Sequence, residues 1–302
     1  MTSDRVDLGR VRQVGLWLAI GCVLLAGIAF GWNPTPVAQL LAAVFIGCAL
    51  LHAVASYGRG VGLAFFIVCL VITFTVENIG VATGVPFGHY HFEVAAGLPR
   101  VGRIPIVVGP LWFGGGYFSF VVAATLLDGA DRHLDRGVNV IALPLVAAFV
   151  MTQWDLVIDA PNATIAKAWI WHDGGAIFGV PLSNYLGWLL TSWLFFQAFV
   201  LILRYRRSAG PQAAPSGPMR LVAILFYVSA GLTHLVPFAI GQGGEAVDGA
   251  GRVWRIADIR EATVAIFMLT MLFTALLAAL RLFVTGTKPT VASIMSVRRH
   301  DP

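Results

Sequence analysis

The chain has 302 residues, of which 58% are hydrophobic and 12% are charged, and its formal net charge at neutral pH is +5. With a mean hydropathy of +0.82, it carries more apolar surface than a water-soluble core of this size can bury. This composition excludes an ordinary soluble enzyme and predicts an integral membrane protein. The basic residues occur in short loops beside apolar runs, where membrane topology accounts for them, so we expect no nucleic-acid partner.

Eight apolar runs are long enough to cross about 30 Å of hydrocarbon as helices. They lie at 12–31, 36–57, 60–80, 104–127, 138–159, 180–204, 219–241 and 261–284. The first run resembles a signal peptide, but no small-residue cleavage site follows it, so we expect it to stay in the protein as the first span. The alternative, in which this run is not a span, leaves seven spans. The predicted fold is all-α, a single polytopic bundle of about eight transmembrane helices that forms one domain over residues 1–302.

The three cysteines all fall within apolar runs, and no two of them form a CxxC pair. They are Cys22, Cys48 and Cys69. Free cysteines are commonly buried, so we expect these three to pack in the bundle rather than to form disulfides or bind a metal.

The orientation follows from the Lys and Arg residues in alternate loops. The side that holds both termini carries 14 of them and the other side carries six, which predicts an inner-membrane protein with both termini in the cytoplasm. On the inner side, 208–218 is predicted to be a flexible linker and 288–302 a loosely ordered tail. The outer loops, 83–103, 160–179 and 241–260, are long and rich in glycine, aromatic and ionisable residues, so we expect function there.

Three acidic residues stand near the outer ends of predicted spans: Glu77, Asp155 and Asp159. An ionisable group inside a span costs several kcal/mol unless it is paired or hydrated, so each is a functional candidate. Glu77 and Asp155 lie at a similar depth in spans that run in the same direction. Asp159 follows Asp155 by four residues and therefore lies on the same helix face, one turn farther out. We expect the three acids to converge.

A structural interpretation of these acids stays open. Glu77 would then pair with Arg100 or Arg103, and Asp159, which stands two residues before Pro161, would only mark the end of its helix.

Three histidines in the outer loops raise the question of a metal, because imidazole and carboxylate are ordinary metal ligands. His89 and His91 lie in FGHYHF, and His172 lies beside Asp173 in WIWHDGG. The chain has no HExxH motif and no repeated histidine boxes, so we predict no metal and assign these histidines to hydrogen bonding or proton transfer. Asp173 is a secondary candidate, because a solvated turn would also explain it.

Aromatic residues gather near the predicted outer boundary, where an interfacial belt explains most of them. They are Trp112, Trp154, Trp169, Trp171, Tyr185, Trp188, Trp193 and Trp254. For the aromatic residues next to the acids there is a second interpretation, in which they line a pocket and their ring faces stabilise a developing cation. Glycine and proline in GVPFG, VVGPLWFGGG and FGVPLSN interrupt helices at membrane depth, which predicts a cleft that opens outward.

Four stretches together resemble the carotenoid biosynthesis membrane protein family. They are 77–92 (ENIGVATGVPFGHYHF), 105–116 (PIVVGPLWFGGG), 155–161 (DLVIDAP) and 169–188 (WIWHDGGAIFGVPLSNYLGW). The resemblance extends over roughly residues 60–285. Known members of the family are cofactor-independent carotenoid hydratases, so the resemblance implies a hydro-lyase that adds water to the terminal double bond of an acyclic end group. The motif positions that carry over as site residues are Glu77, Asn78, Asp155, Asp159, Trp171 and Asn184.

Such a hydration requires a proton donor, a tertiary cation and a captured water. A carboxyl group that desolvation or a like-charged neighbour keeps protonated can supply the proton. We expect Asp155 or Asp159 to be the acid, and the other or Glu77 to orient the water. The expected substrate contacts are Asn78, His89, Tyr90, His91, Trp112, Trp154, Trp169, Trp171, His172, Asp173 and Asn184. No cofactor is expected, and the expected partners are a carotenoid from the bilayer, water and other carotenoid biosynthesis enzymes.

Two other functions remain open from the residues alone. A transporter would also show broken helices and acids near the membrane midplane, but it predicts an inverted repeat, which the sequence does not display. A membrane metalloenzyme that acts on lipid is the other alternative.

Overall fold

The computed structural model describes residues 34–93, 97–208, 213–241 and 243–286. The predicted first span, the predicted tail and Cys22 lie outside these residues, and the predicted linker lies partly outside them. The seven other predicted spans all correspond to helices, so the all-α membrane bundle is confirmed. The single helices are α1 (Pro34–Tyr57), α2 (Arg59–Thr83), α3 (Val108–Leu126), α4 (Gly137–Ala160), α5 (Leu182–Ser208) and α6 (Gly217–Leu232).

Interruptions divide the last two predicted spans. A short helix, α7 (Leu235–Ala239), follows α6, while α8 (Ile256–Phe267) continues through a π-helical turn (Met268–Leu272) into α9 (Phe273–Gly286). Five segments are long and apolar enough to cross a membrane, which agrees with the predicted bilayer environment. They are Arg59–Thr83, Gly137–Ile165, Leu182–Arg207, Gly217–Ala239 and Ile256–Val284.

Helix α3 forms the centre of the bundle. Sixteen of its 19 residues are buried, and it contacts α1, α2, α4, α6 and α9. Its three consecutive glycines permit this close packing: a Cβ atom at Gly114 would lie 2.7 Å from a ring carbon of Phe45, and one at Gly115 would lie 3.2 Å from the Cε of Met151. Helix α3 is therefore surrounded by protein rather than by lipid.

The α-helical hydrogen bonding of α4 ends at Ala160, but the helical path of the chain does not stop there. It continues as a π-helical turn, Pro161–Ile165, in which the amide of Ala166 donates to the carbonyl of Pro161 over 3.0 Å. Proline has no N–H and so removes one bond from the α-helical ladder, and the wider turn accommodates that loss. The interpretation of Asp159 as a helix end is therefore wrong, because its side chain projects from continuous helix.

Short strands join the connections at the end of the bundle where α2 and α4 finish, which we call the loop end. Three antiparallel pairs form there: β1 (Tyr90–Phe92) with β4 (Trp169–Trp171), β2 (Arg100–Val101) with β3 (Ile104–Pro105), and β5 (Glu245–Val247) with β6 (Val253–Arg255). The first pair places Tyr90 opposite Trp171. It thereby ties the connection after α2 to the connection after α4.

A buried ion pair holds the opposite end of the bundle. The Nη2 of Arg220, on α6, donates to the Oδ1 of Asp131 over 2.6 Å, and both side chains are buried. The hydroxyl of Tyr57, the last residue of α1, donates to the other carboxylate oxygen over 2.8 Å. The single carboxylate of Asp131 therefore connects α1, α6 and the turn that follows α3.

We expect Asp131→Asn to lower the free energy of unfolding by about 3 kcal/mol, because it leaves the guanidinium of Arg220 buried without its counter-charge. Thermal unfolding of the purified protein in detergent measures this. Asp135→Asn, which changes an exposed carboxyl four residues farther along, is the matched control. Equal effects of the two substitutions would contradict the prediction.

Candidate active site

The structure brings the three predicted acids together inside the loop end. Glu77 lies on α2, and Asp155 and Asp159 lie on α4; their exposed fractions are 5%, 1% and 1%. The carboxyl of Asp159 interacts electrostatically with those of both Glu77 and Asp155. Three acids thus share one water-excluded layer of a membrane bundle, as the spacing along the two helices predicted.

One amide group bridges the two aspartates. The Nδ2 of Asn184, in the first turn of α5, donates to the Oδ2 of Asp155 over 2.8 Å and to the Oδ2 of Asp159 over 2.5 Å. An asparagine amide carries two N–H groups, so each carboxyl receives one of them. Asn184 thereby holds the two carboxyls as neighbours and fastens α5 to α4.

The two aspartates differ in their remaining contacts. The Oδ1 of Asp159 accepts the indole N–H of Trp169 over 2.6 Å and that of Trp171 over 3.3 Å. The Oδ1 of Asp155 is buried and has no hydrogen-bond partner among the described residues. Asp159 is therefore saturated with donors, whereas Asp155 keeps one oxygen available.

Two further buried polar atoms, on residues adjacent in sequence to Asp155 and Asn184, also have no partner in the part of the chain that the structure describes. They are the indole Nε1 of Trp154, the residue before Asp155, and the hydroxyl of Tyr185, the residue after Asn184. Leaving a buried donor or acceptor unsatisfied costs about 1–3 kcal/mol. Unsatisfied atoms grouped on facing turns of α4 and α5 indicate a place that a water or a polar ligand atom completes.

Tyr185, like Trp188, is a site residue that the sequence analysis missed, because it was grouped with the interfacial aromatics. The charges of both Asp155 and Asp159 act on its hydroxyl, and its side chain is buried. Its position directly after Asn184 in the motif was the signal that would have identified it.

Glu77 has its own set of donors. Its Oε2 accepts the hydroxyl of Tyr90, and its Oε1 accepts the indole N–H of Trp112 over 3.0 Å. Burial, together with the neighbouring charge of Glu77, raises the pKa of the Tyr90 phenol far above its ordinary value, so this hydroxyl stays protonated and donates. The predicted alternative of a pair with Arg100 or Arg103 is wrong, because Glu77 is satisfied by neutral donors.

Arg100, in β2, and Arg103, in the turn between β2 and β3, are instead exposed, and the Nη1 of Arg100 donates to the carbonyl of Arg103. Asn78 holds this turn: its Oδ1 accepts the amide of Arg103 over 2.8 Å, and its Nδ2 donates to the carbonyl of Val101 over 3.0 Å. Asn78 was expected to contact substrate, but its amide is engaged in fixing this loop.

Aromatic rings fill the space around the acids. The indoles of Trp112 and Trp188 stack with ring centroids 3.7 Å apart, and Trp154 lies 5.9 Å from Trp188. Across the β1–β4 pair, the rings of Tyr90 and Trp171 are 4.8 Å apart. These rings present electron-rich faces close to buried carboxyls, which is a suitable environment for a transient cation.

The predicted histidine contacts lie on the outer face of the β1–β4 pair. His89 bonds with Asp173 over 2.7 Å, and the Nδ1 of His91 lies 2.6 Å from the Nε2 of His172. Side chains alternate along a strand, so the pairing that turns Tyr90 inward turns His91 outward. These four residues are therefore separated from the buried acids. The hydrogen bond from His89 lowers the pKa of Asp173, and both side chains are exposed.

Within residues 34–93, 97–208, 213–241 and 243–286, no group of three or more His, Cys, Asp or Glu side chains is arranged to hold a metal ion.

The turn between β5 and β6 supports the acid site by packing against it. A Cβ atom at Gly249 would lie 2.2 Å from the carbonyl oxygen of Trp171. Only glycine permits this close approach, which presses the loop of Trp171 onto the bundle.

Sequence comparisons connect the chain with carotenoid biosynthesis, which confirms the resemblance. A family model described as carotenoid biosynthesis protein matches residues 34–243. Bisanhydrobacterioruberin hydratase of Haloarcula japonica is 28% identical to the chain over an aligned length of 247 residues, and the match covers 78% of this chain and 79% of that protein. No solved structure matches the chain. The buried acids and all their partners lie inside the region that the family model matches.

We expect Asn184→Leu to lower the free energy of unfolding by about 2 kcal/mol, because two buried carboxyls lose their common donor. The loss of unfolding free energy caused by Asn184→Leu should be smaller in a protein that also carries Asp155→Leu, because only one buried carboxyl then lacks its donor. Thermal unfolding of the single and double variants in detergent measures this coupling. Asn139→Leu is the control, because the Asn139 amide serves one backbone carbonyl near the opposite end. A loss no larger than that of the control would contradict the bridging role.

Proposed function

Because the chain belongs to the carotenoid biosynthesis protein family, we propose that it is a carotenoid hydratase. It would add water to the terminal double bond of an acyclic end group and produce a tertiary alcohol. The observation that supports this proposal most directly is the buried Asp155–Asp159 pair, in which one carboxylate oxygen has no partner among the described residues. The hydratase named among the relatives supports the same reaction class.

In the first step, a carboxyl proton is transferred to the less substituted carbon of the double bond. Two neighbouring buried carboxyls favour a shared proton, because two charges in so small a volume are poorly solvated. The three N–H donors around Asp159 stabilise a carboxylate there, so we assign the proton to Asp155. Its free Oδ1 is the atom that would face the alkene.

The π electrons of the double bond form the new C–H bond and leave a tertiary cation on the other carbon. The faces of Trp112, Trp188 and Trp154 lie in the same layer, and cation–π attraction is strongest where water is excluded. Glu77 acts here as a positioning residue, because it orients Trp112 and Tyr90 through its two oxygens.

A water captures the cation in the last step. The unsatisfied Tyr185 hydroxyl and Trp154 Nε1 are suited to hold that water beside Asp155. The oxygen forms the C–O bond, and the aspartate pair accepts the proton that the oxygen then loses, so the pair returns to its starting state. Alkene and water combine without a change of redox state, and the balance of the reaction needs no cofactor.

The substrate would enter from the bilayer. Leu186 and Leu190, on the turns of α5 next to Tyr185 and Trp188, are exposed on the bundle surface, which is where hydrocarbon would contact the site. We place the chain in the inner membrane with both termini in the cytoplasm, so that the loop end faces outward. Other carotenoid biosynthesis enzymes that supply an acyclic end group are its proposed partners.

We expect Asp155→Asn to reduce alcohol formation by at least about a hundredfold, because the amide cannot donate the proton. The assay uses membranes that contain the protein and a carotenoid with acyclic ends, and mass spectrometry detects a product one water heavier. Asp258→Asn, which alters a half-exposed carboxyl that pairs with Arg255 at the same end, is the control. Full activity of Asp155→Asn would remove Asp155 from the mechanism, and no alcohol from the wild-type protein would contradict the proposal.

We expect Tyr185→Phe to lower kcat by about tenfold and to leave KM nearly unchanged, because it removes one hydrogen bond to the attacking water and keeps the ring. Steady-state rates with the same pigment assay measure both constants. Tyr205→Phe changes an exposed tyrosine near the other end of the same helix and should behave as wild type. A rise in KM at constant kcat would show instead that Tyr185 only binds substrate.

A further inference from the structure

A cavity lies at the end of the bundle opposite the acids. It has a volume of about 340 Å³ and is lined by Arg132, Leu134, Asp135, Arg204 and Arg207. The arginines come from two directions, because Arg132 belongs to the connection between α3 and α4, and Arg204 and Arg207 lie in the last turns of α5. Nothing in the proposed hydration uses this cavity.

The guanidinium of Arg207 is incompletely paired. Its Nη1 donates to the carbonyl of Arg132 over 3.3 Å, but its Nε and Nη2 are buried and have no partner among the described residues. Nε and Nη2 are adjacent donors of one planar group, and such a fork matches two oxygens of a phosphate. A half-buried guanidinium with two buried and unused donors indicates an anionic ligand.

The neighbouring groups keep the cavity positive. The Nη2 of Arg132 donates to the carbonyl of Pro215, which anchors the loop but leaves its charge unneutralised. Arg204 stands one turn before Arg207 on the same side of α5. Asp135 forms no ion pair with a described residue, so it does not neutralise the three arginines.

The cavity adjoins lipid-facing surface. The side chain of Gln197 on α5 donates to the carbonyl of Val140 on α4 over 3.1 Å, which sets the antiparallel register of the two helices. Nearer the cavity, Leu201 lies one turn after Gln197 on α5 and Val138 lies two residues before Val140 on α4, and they are exposed by 51% and 69%. A phosphate in the cavity would therefore stand at the head of an apolar surface that can accept acyl chains.

We propose that this cavity binds the phosphate of an anionic phospholipid. Basic pockets between membrane helices are a known type of site for acidic headgroups, and each arginine adds attraction near the membrane surface. The fork of Arg207 would take two phosphate oxygens, and Arg204 and Arg132 would complete the charge balance. The site is independent of the hydratase proposal, because it lies at the other end of the bundle.

The test uses the full chain in detergent with dihexanoyl phosphatidylglycerol as the probe. We expect this lipid to raise the unfolding temperature, and native mass spectrometry to detect one tightly bound copy. Arg207→Gln should weaken the apparent affinity by at least about tenfold, because charge-assisted hydrogen bonds are lost. Arg204→Gln, which changes an exposed side chain, repeats the test if Arg207→Gln does not fold.

Arg136→Gln is the matched control, because it removes one exposed positive charge from the same end without changing the lining; it should bind as wild type. If Arg136→Gln weakens lipid binding as much as Arg207→Gln does, the binding depends only on general surface charge, and the proposal is overturned. Equal stabilisation by dihexanoyl phosphatidylcholine would also overturn it, since recognition would not depend on an acidic headgroup. If inorganic phosphate alone reproduces the shift and displaces the lipid, the ligand is a soluble anion and the lipid assignment is wrong.

Discussion

The bridge that Asn184 makes between Asp155 and Asp159 is the interaction on which the rest of the loop end depends. It fastens α5 to α4, and the other oxygen of Asp159 binds the indoles of β4. Strand pairing then carries the connection to Tyr90 and from there to Glu77 on α2. Three helices and two loops are thus joined through a few polar atoms. In a water-excluded layer, each such bond is stronger than in water, and each missing one costs more.

This polar layer depends on a rigid apolar support. Helix α3 is buried on nearly all sides, and its glycines let neighbouring helices approach closely. Below the acids, Phe65 stacks on Phe199 with centroids 4.1 Å apart, in a core rich in phenylalanine. Close packing of this kind limits side-chain motion. It therefore holds Trp112, and through it Glu77, in one orientation, so the acids occupy defined positions although they lie near a membrane boundary.

Much of the site followed from local periodicity. Counting helical rise placed Glu77 and Asp155 at one depth, and four-residue spacing placed Asp159 on the face of Asp155. The histidines were harder to place, because their direction depends on which face of β1 is buried. Tyr185 was harder still: an aromatic residue near a predicted boundary has the same local pattern whether it faces lipid or a carboxyl. Spacing within one element cannot show which side chain another element will bring close.

The amino-acid sequence by itself determined that this chain is a membrane bundle, since only a bilayer can cover so much apolar surface, and that acids lie inside it. It also carried the family motifs. The tertiary structure alone decided the partners: neutral donors rather than arginines at Glu77, an amide shared by Asp155 and Asp159, and one carboxylate oxygen left open. Backbone geometry specifies depth and face within a helix, whereas hydrogen-bond partners depend on how separate helices and strands meet. The relative placement of these helices and strands is determined by side-chain packing over the whole chain.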